Sequence, residues 1–196
     1  MPIELHLADQ QPLERSDAAR NREALLEAAL RLIDRCSVDG VTMGAVAHEA
    51  GVGKGTVFRR FESREGLMAA VLNRSETEWQ AAVLGGPPPL GPHDDPMERL
   101  LAFGHSRLRI NLTHGALITA AGHAGARSFA AVSFSAMHVR YLLTAIGVRG
   151  DIPLLATALM APLEVVILEQ QVGKEHMDLA RIEAGWDDLV RRVVAG

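Results

Sequence analysis

One cysteine, one tyrosine and two tryptophans stand in 196 residues, and aromatic residues make up only 4% of the chain. With Cys36 alone, no intrachain disulfide can form, so the fold must rest on its core, which a chain of this length can build. A reducing, cytoplasmic setting is the simple expectation. Cys36 lies in an amphipathic stretch and reads as core filler rather than a redox sensor. Few aromatics beside much Ala, Leu, Val, Glu and Arg disfavour strands and favour helices. No alternating run of useful length and no internal repeat is present. Long apolar runs are also missing. Leu154 to Leu163 is too short for a membrane span, which needs ~20 residues, and Met1 to Gln11 contains acids and no apolar core. The expectation is a soluble chain with no membrane partner. An excess of positive charge is lacking too, since 20 Lys and Arg face 24 Asp and Glu for a net charge of −4. A chain binding nucleic acid with its whole surface would be basic. A DNA binder of this composition must gather its cations in one patch.

Catalytic and metal patterns are equally scarce. His105, His114, His123 and His138 are nine or more residues apart, and there is no His-Glu-x-x-His motif or Cys-His cluster, so no metal or cofactor is expected. No nucleophile–base pair or phosphate loop stands out, and no enzyme is expected. The enzyme alternative rests on Glu164 or His138 as a buried acid or base.

Helical signals fill the chain. After a loose arm over residues 1–15, Ser16 or Asp17 can cap a helix to Cys36 whose apolar face is Leu25, Leu26, Ala29, Leu32 and Ile33. Asp39-Gly40 turns the chain. Thr42 caps a short helix to Ala50, Gly51-Val52-Gly53 breaks it, and a second runs from Lys54 to Phe61. Ser63, with Glu65 in the first turn, starts a helix to Leu84. The run from Gly85 to Pro92, with four prolines, cannot be helix and reads as a linker. Further helices are expected over 96–112, 114–146 with a break near Gly122 to Ala126, 152–172 with a bend at Pro162, and 178–195.

The segment Val41 to Leu72 carries the functional signal. Two short helices joined by a glycine-bearing turn are the helix-turn-helix pattern. Val46 and Ala47 face inward, Ala50 allows close approach, Gly51 permits a left-handed turn, Val52 plugs it, and Val57 and Phe61 anchor the second helix. Lys54, Gly55, Thr56, Arg59 and Arg60 are left outside, with Arg64 close by, a cluster suited to phosphate contact. The alternative is a merely solvated face.

At Thr42, Ala47, Ala50-Gly51-Val52, Gly55, Phe58, Phe61, Ser63, Glu65 and Leu67 the chain resembles the tetracycline-repressor (TetR) family. Glu27-Ala28-Ala29 and Leu32-Ile33 extend the likeness, which covers about residues 17–74. The resemblance implies a one-component transcriptional regulator, governed by a small-molecule effector and bound to double-stranded operator DNA as a homodimer. It implies that Thr42 caps its helix and touches a phosphate, that Lys54 reaches base edges or phosphate, and that Gly55 lets the backbone approach the groove. Thr56 would meet a base or thymine methyl, and Arg59 and Arg60 would hold phosphates or read guanine. Phe58 stands where the family commonly has tyrosine; it keeps the packing but has no hydroxyl to offer a phosphate. Arg64 replaces a common lysine and can still bind phosphate.

Beyond residue 74 the reading is compositional. Trp79, Phe103, Phe129, Phe134, Met137 and Tyr141, with Arg107 as a polar contact, can line a mostly apolar effector pocket, plain core being the competing reading. Leu179, Ile182, Trp186, Leu189 and Val193 recur at helical spacing, and Leu155 and Leu159 belong to an apolar preceding helix. Two copies of this pair would make a four-helix dimer bundle, unless the seam packs within its own chain. The expected architecture is all-α, with a three-helix DNA-binding domain over 16–62 and a helical ligand-binding and dimerisation domain over 63–196. A helical binding module without DNA binding is the alternative function.

Overall fold

The computed structural model describes residues 11–122 and 129–196, without the side chains of residues 11–18 and 129–132. Every regular element among the described residues is helical: α1 (Gln11–Cys36), α2 (Met43–Glu49), α3 (Lys54–Phe61), α4 (Arg64–Gly85), α5 (Pro96–Ala121), α6 (Phe129–Ile146), α7 (Ile152–Met160), α8 (Val165–Leu168) and α9 (Leu179–Ala195). A 3₁₀ turn (Ala161–Leu163) precedes α8 and a π-helical stretch (Glu169–Lys174) follows it. The chain divides into two units, one up to Val71 and one from Leu72 to Gly196. The division falls inside α4, beyond the 62/63 boundary expected from the motif.

In the N-terminal unit, α1 buries Leu25, Leu26, Ala28, Ala29 and Leu32 together with Val46 and Ala47 of α2 and Val57 and Phe61 of α3. Thr42 Oγ1 accepts from Ala45 N–H at 3.1 Å, the expected cap. Gly51 has φ +68°, a left-handed conformation that glycine adopts without steric cost, and Val52 N–H closes the turn on Ala47 C=O at 2.9 Å. Val52 itself is 38% exposed, so the backbone, not a valine plug, shapes this turn. Ser63 Oγ accepts from Gly66 N–H at the start of α4. α1 already includes Gln11, ahead of the start expected at Ser16 or Asp17; residues 1–10 of the expected arm lie outside the described residues. Cys36 is exposed, not core, and its thiol donates to Leu32 C=O.

In the C-terminal unit, α5 packs on α6 and α9, and α7 on α6. Asp95 caps α5 with Pro96 in its first turn. α5 runs unbroken through Thr113, where an interruption was expected; the Thr113 hydroxyl donates to Arg109 C=O one turn back and so serves the helix. The break expected near Gly122 to Ala126 falls largely outside the described residues. Pro162 sits in the 3₁₀ turn, and the segments on either side of it, Ile152–Leu163 and Val165–Lys174, meet at 41°. Among the described residues no single helix is long and apolar enough to cross a membrane.

Candidate functional site

α3 is short enough that its two faces are easily separated. Val57 and Phe61 are buried, while Lys54, Gly55, Phe58, Arg59 and Arg60 are exposed and Thr56 is half-buried. Lys54 Nζ lies 5.6 Å from the Phe58 ring centroid, so the exposed aromatic steadies the cation. Arg59 reaches Thr56 Oγ1 at 3.4 Å. A Cβ added at Gly55 would meet nothing in the chain within 4 Å. The fold itself therefore gives no reason for glycine there; an approaching partner would.

Around this face the unit is tied down by charge. Glu49 of α2 accepts from Arg31 and Arg35 of α1, and these bonds, Arg35 first, hold its carboxyl below the usual range. Arg22 of α1 lies over the Phe61 ring at 5.6 Å. Arg64 corrects the expected phosphate set. It is half-buried, its Nε donates to Val41 C=O at 2.8 Å and its Nη2 to Val38 C=O at 2.6 Å. Its guanidinium staples the α1–α2 connection to the start of α4 instead of facing outward.

The expected pocket residues separate into three groups. Trp79, Phe103 and Arg107 lie inside the C-terminal core, with Trp79 5.2 Å from Phe103 and 6.0 Å from the half-buried Phe134 between ring centroids. Met137 and Tyr141 are instead 63% and 58% exposed; their places on α6 fall on its outer side, which periodicity alone did not resolve. The Phe129 side chain lies outside the described residues. Arg107, 1% exposed, is held by both carboxylate oxygens of Glu76 at 2.9 and 2.7 Å and stacks over Trp79 at 4.6 Å. Burial pushes His114 below the usual histidine range; Glu76 opposes that shift and Arg107 adds to it. A groove of ≈ 480 Å³ lies beside Trp79, bounded by Leu90, His105, Ser106, Ile110 and Thr113.

Much of the expected dimer seam packs within its own subunit, the alternative that the spacing left open. Leu159 and Trp186 are 0% and 3% exposed within a single subunit, and Leu155, Ile182, Leu189 and Val193 pack against the same core. Trp186 inserts against Gly104 of α5, where an added Cβ would stand 1.9 Å from its ring. The α9 stripe is periodic because it faces α5, a contact reinforced by His105–Asp187 at 2.7 Å and Arg109–Glu183 at 2.8 Å. Apolar groups left outside are Leu154, which the sequence did not single out, Val166 and Ile167 of the apolar helix expected over 152–172, and Leu179 of the expected seam. Sequence reasoning missed Arg99 and Ser135, buried polar residues whose sequence neighbourhood gives no signal, whereas His138, named there as a buried acid or base, is indeed buried.

Residues 25–71 match the family model of bacterial regulatory proteins, tetR family. Over these residues the chain is similar to the tetR family. An HTH-type transcriptional regulator of Staphylococcus aureus (strain USA300) is 37% identical over 60 residues, which are 31% of this chain and 32% of that protein. The likeness in sequence thus spans about a third of that relative. The fold likeness is wider. A transcriptional regulator from Rhodococcus sp. Rha1 superposes with a TM-score of 0.67 at 18% identity, covering 89% of this chain and 96% of that one. The transcriptional regulator FadR from Bacillus subtilis, in complex with stearoyl-CoA, superposes with a TM-score of 0.62 at 10% identity, covering 86% and 96%.

Proposed function

We propose that the chain is a homodimeric, ligand-gated transcriptional repressor of the cytoplasm. In this reading α3 of each subunit enters the major groove of one half of a pseudo-palindromic operator. Lys54, Thr56, Phe58, Arg59 and Arg60 make the contacts, Gly55 admits the groove, and Thr42 meets a phosphate. The observation that carries the reading is the outer face of α3: cations, an aromatic and a glycine with no internal task on one helix of an acidic chain. Leu154 at 65%, Val166 at 70% and Leu179 at 36% exposure support a second copy as the cover for the α7–α9 surface. A mostly apolar effector, taken up by the C-terminal unit, lowers operator affinity by binding the released state better than the bound one. The FadR neighbour, solved with stearoyl-CoA, supports a ligand role for this architecture.

The test is binding to DNA flanking the chain's own gene across a salt series. Replacing Arg59 and Arg60 by Ala flattens the plot of log affinity against log salt by about 0.9 for each phosphate that the variant no longer neutralises. A double variant with the wild-type slope refutes the assignment of α3. Light scattering at micromolar concentration checks the dimer, and a monomer there refutes it.

A further inference from the structure

Among the polar atoms that the C-terminal unit buries without a hydrogen-bond partner, three belong to neighbouring stretches of α5 and α6. Ser135 Oγ, His138 Nε2 and Arg99 Nε are all buried without a hydrogen-bond partner, and their residues are 1%, 7% and 8% exposed. Buried donors and acceptors are normally paired, because leaving them bare forfeits their hydration. Three such atoms in one neighbourhood therefore call for an occupant.

The neighbourhood is defined from two helices. Ser135 and His138 lie one turn apart on the buried side of α6, and Arg99 and Phe103 one turn apart on α5. The His138 ring is 5.2 Å from that of Phe103 and stacks at 6.0 Å and 12° on that of Phe134. Arg99 lies 6.0 Å over the Tyr141 ring, which in turn is 6.2 Å from His138. Aromatic faces and polar atoms thus share one strip between α5 and α6, with the exposed Tyr141 at its solvent end.

We propose that Arg99, Ser135 and His138 form the polar end of a binding site for a monocarboxylate with an apolar, flat or chain-like body. The inference rests on the effector reading above and names the chemical class that this chain takes. An arginine Nε–H and a serine hydroxyl donate, and a neutral imidazole donates from Nε2 when Nδ1 is the bare nitrogen. Burial, aided by Arg99, drives His138 down to about 4, so the ring is neutral at pH 7 and the guanidinium supplies the charge. Three donors with a single positive charge match the two oxygens and single negative charge of a carboxylate. A phosphate, with more charge and more oxygens, is matched less well. Phe103, Phe134 and the His138 face offer stacking and apolar contact for the body of the ligand.

The experiment uses the full chain with 2-naphthoate and decanoate as probes, each beside its uncharged amide. Binding is read by calorimetry and by the rise in melting temperature, which grows with ligand excess over Kd. The acids are expected to bind at least tenfold tighter than the amides. Arg99→Gln should abolish that preference. Ser135→Ala is expected to melt no lower than wild type when empty, since it removes a bare hydroxyl, yet to bind the acids several-fold more weakly. A merely structural serine would not give that opposed pair. Equal binding of acid and amide, no binding of either acid at millimolar concentration, or unaltered acid affinity in Ser135→Ala would each overturn the site. Operator affinity is measured separately with the acid bound. Selective binding without operator release keeps the site and refutes its gating role, so the two readings fail independently.

Discussion

Put side by side, the two units of this chain handle polarity in opposite ways. In the N-terminal unit the side chains proposed to meet DNA stand outside an apolar core. Among the described residues, the buried polar or charged ones, Arg99, Arg107, Asn111, Ser135 and His138, all fall in the C-terminal unit. A surface that meets DNA phosphates needs cations that stay solvated until contact. A unit that admits a small molecule needs polar groups held in a low-dielectric interior, where each discriminates strongly. The difference teaches where mutations should hurt: stability in the second unit, binding in the first.

The largest expected effect tests that contrast at Arg107. Its guanidinium is buried, paired with Glu76 and stacked on Trp79. Arg107→Ala leaves the Glu76 carboxylate with no counter-charge in a largely buried place and should cost about 3–5 kcal/mol in urea denaturation. Arg107→Met with Glu76→Leu should recover most of that loss, because the costly lone charge is gone. Arg59→Ala, by contrast, should leave the urea midpoint unchanged. If Arg107→Ala and Arg59→Ala prove equally harmless to stability, the contrast between the units collapses.

His138 gives the next effect, through pH. Its folded pKa of about 4 lies below the ordinary 6.5 because burial disfavours the charged ring, with Arg99 adding to the shift. Above pH 6.5 the ring is neutral in both states and contributes no pH dependence. Between pH 6.5 and 4 the unfolded chain takes up a proton that the folded chain refuses, so stability falls as pH falls, and the loss levels off below the folded pKa. The full span is roughly 3 kcal/mol. His138→Gln should flatten this slope, as read from denaturation midpoints at pH 7, 6, 5 and 4. A variant with the wild-type slope would place the titration elsewhere.

How far the sequence disclosed each unit follows from the same contrast. α3 has its expected ends at Lys54 and Phe61, and Thr42, Gly51 and Ser63 act where their chemistry placed them. Caps and turns are local, so a few adjacent residues encode them. Arg64 was misplaced because its partners, the Val38 and Val41 carbonyls, are more than 20 residues away and carry no side-chain signal. In the second unit, periodicity gave a stripe on α9 and no way to say what it faces; α5, through Gly104, takes the place expected of a second subunit. The exposure of Met137 and Tyr141 was likewise not legible, since hydrophobicity says that a side chain tends to be covered and not by what. The Glu76–Arg107 pair joins residues 31 apart and is invisible to spacing rules.

Gly104 supplies a smaller effect and a check on the packing of α9. Gly104→Ala puts a methyl group 1.9 Å from the Trp186 ring, an overpacking that should cost about 1–3 kcal/mol as α5 and α9 separate. Trp186 emission should shift to the red as the indole gains water, read in a Trp79→Phe background so that one tryptophan reports. A stably folded Gly104→Ala variant that keeps a blue, unshifted emission would show that the contact between α5 and α9 is not the one that buries Trp186.

The smallest effect lies in the N-terminal unit and separates two tasks of one side chain. Thr42 Oγ1 caps α2 by accepting from Ala45 N–H, and the hydroxyl is exposed on the side where a phosphate contact is proposed. Thr42→Ala removes both tasks and should cost about 1 kcal/mol of stability together with a drop in operator affinity. Thr42→Ser keeps both. Thr42→Asp is the informative change, because aspartate caps as well as threonine does and its charge favours a helix N-terminus, while the same charge repels a phosphate. Its stability should therefore match wild type or exceed it slightly, and its operator affinity should fall below that of Thr42→Ala, most of all at low salt where repulsion is least screened. An aspartate variant that binds operator as tightly as wild type would leave Thr42 a cap and nothing more. The DNA-facing surface would then begin at α3 itself.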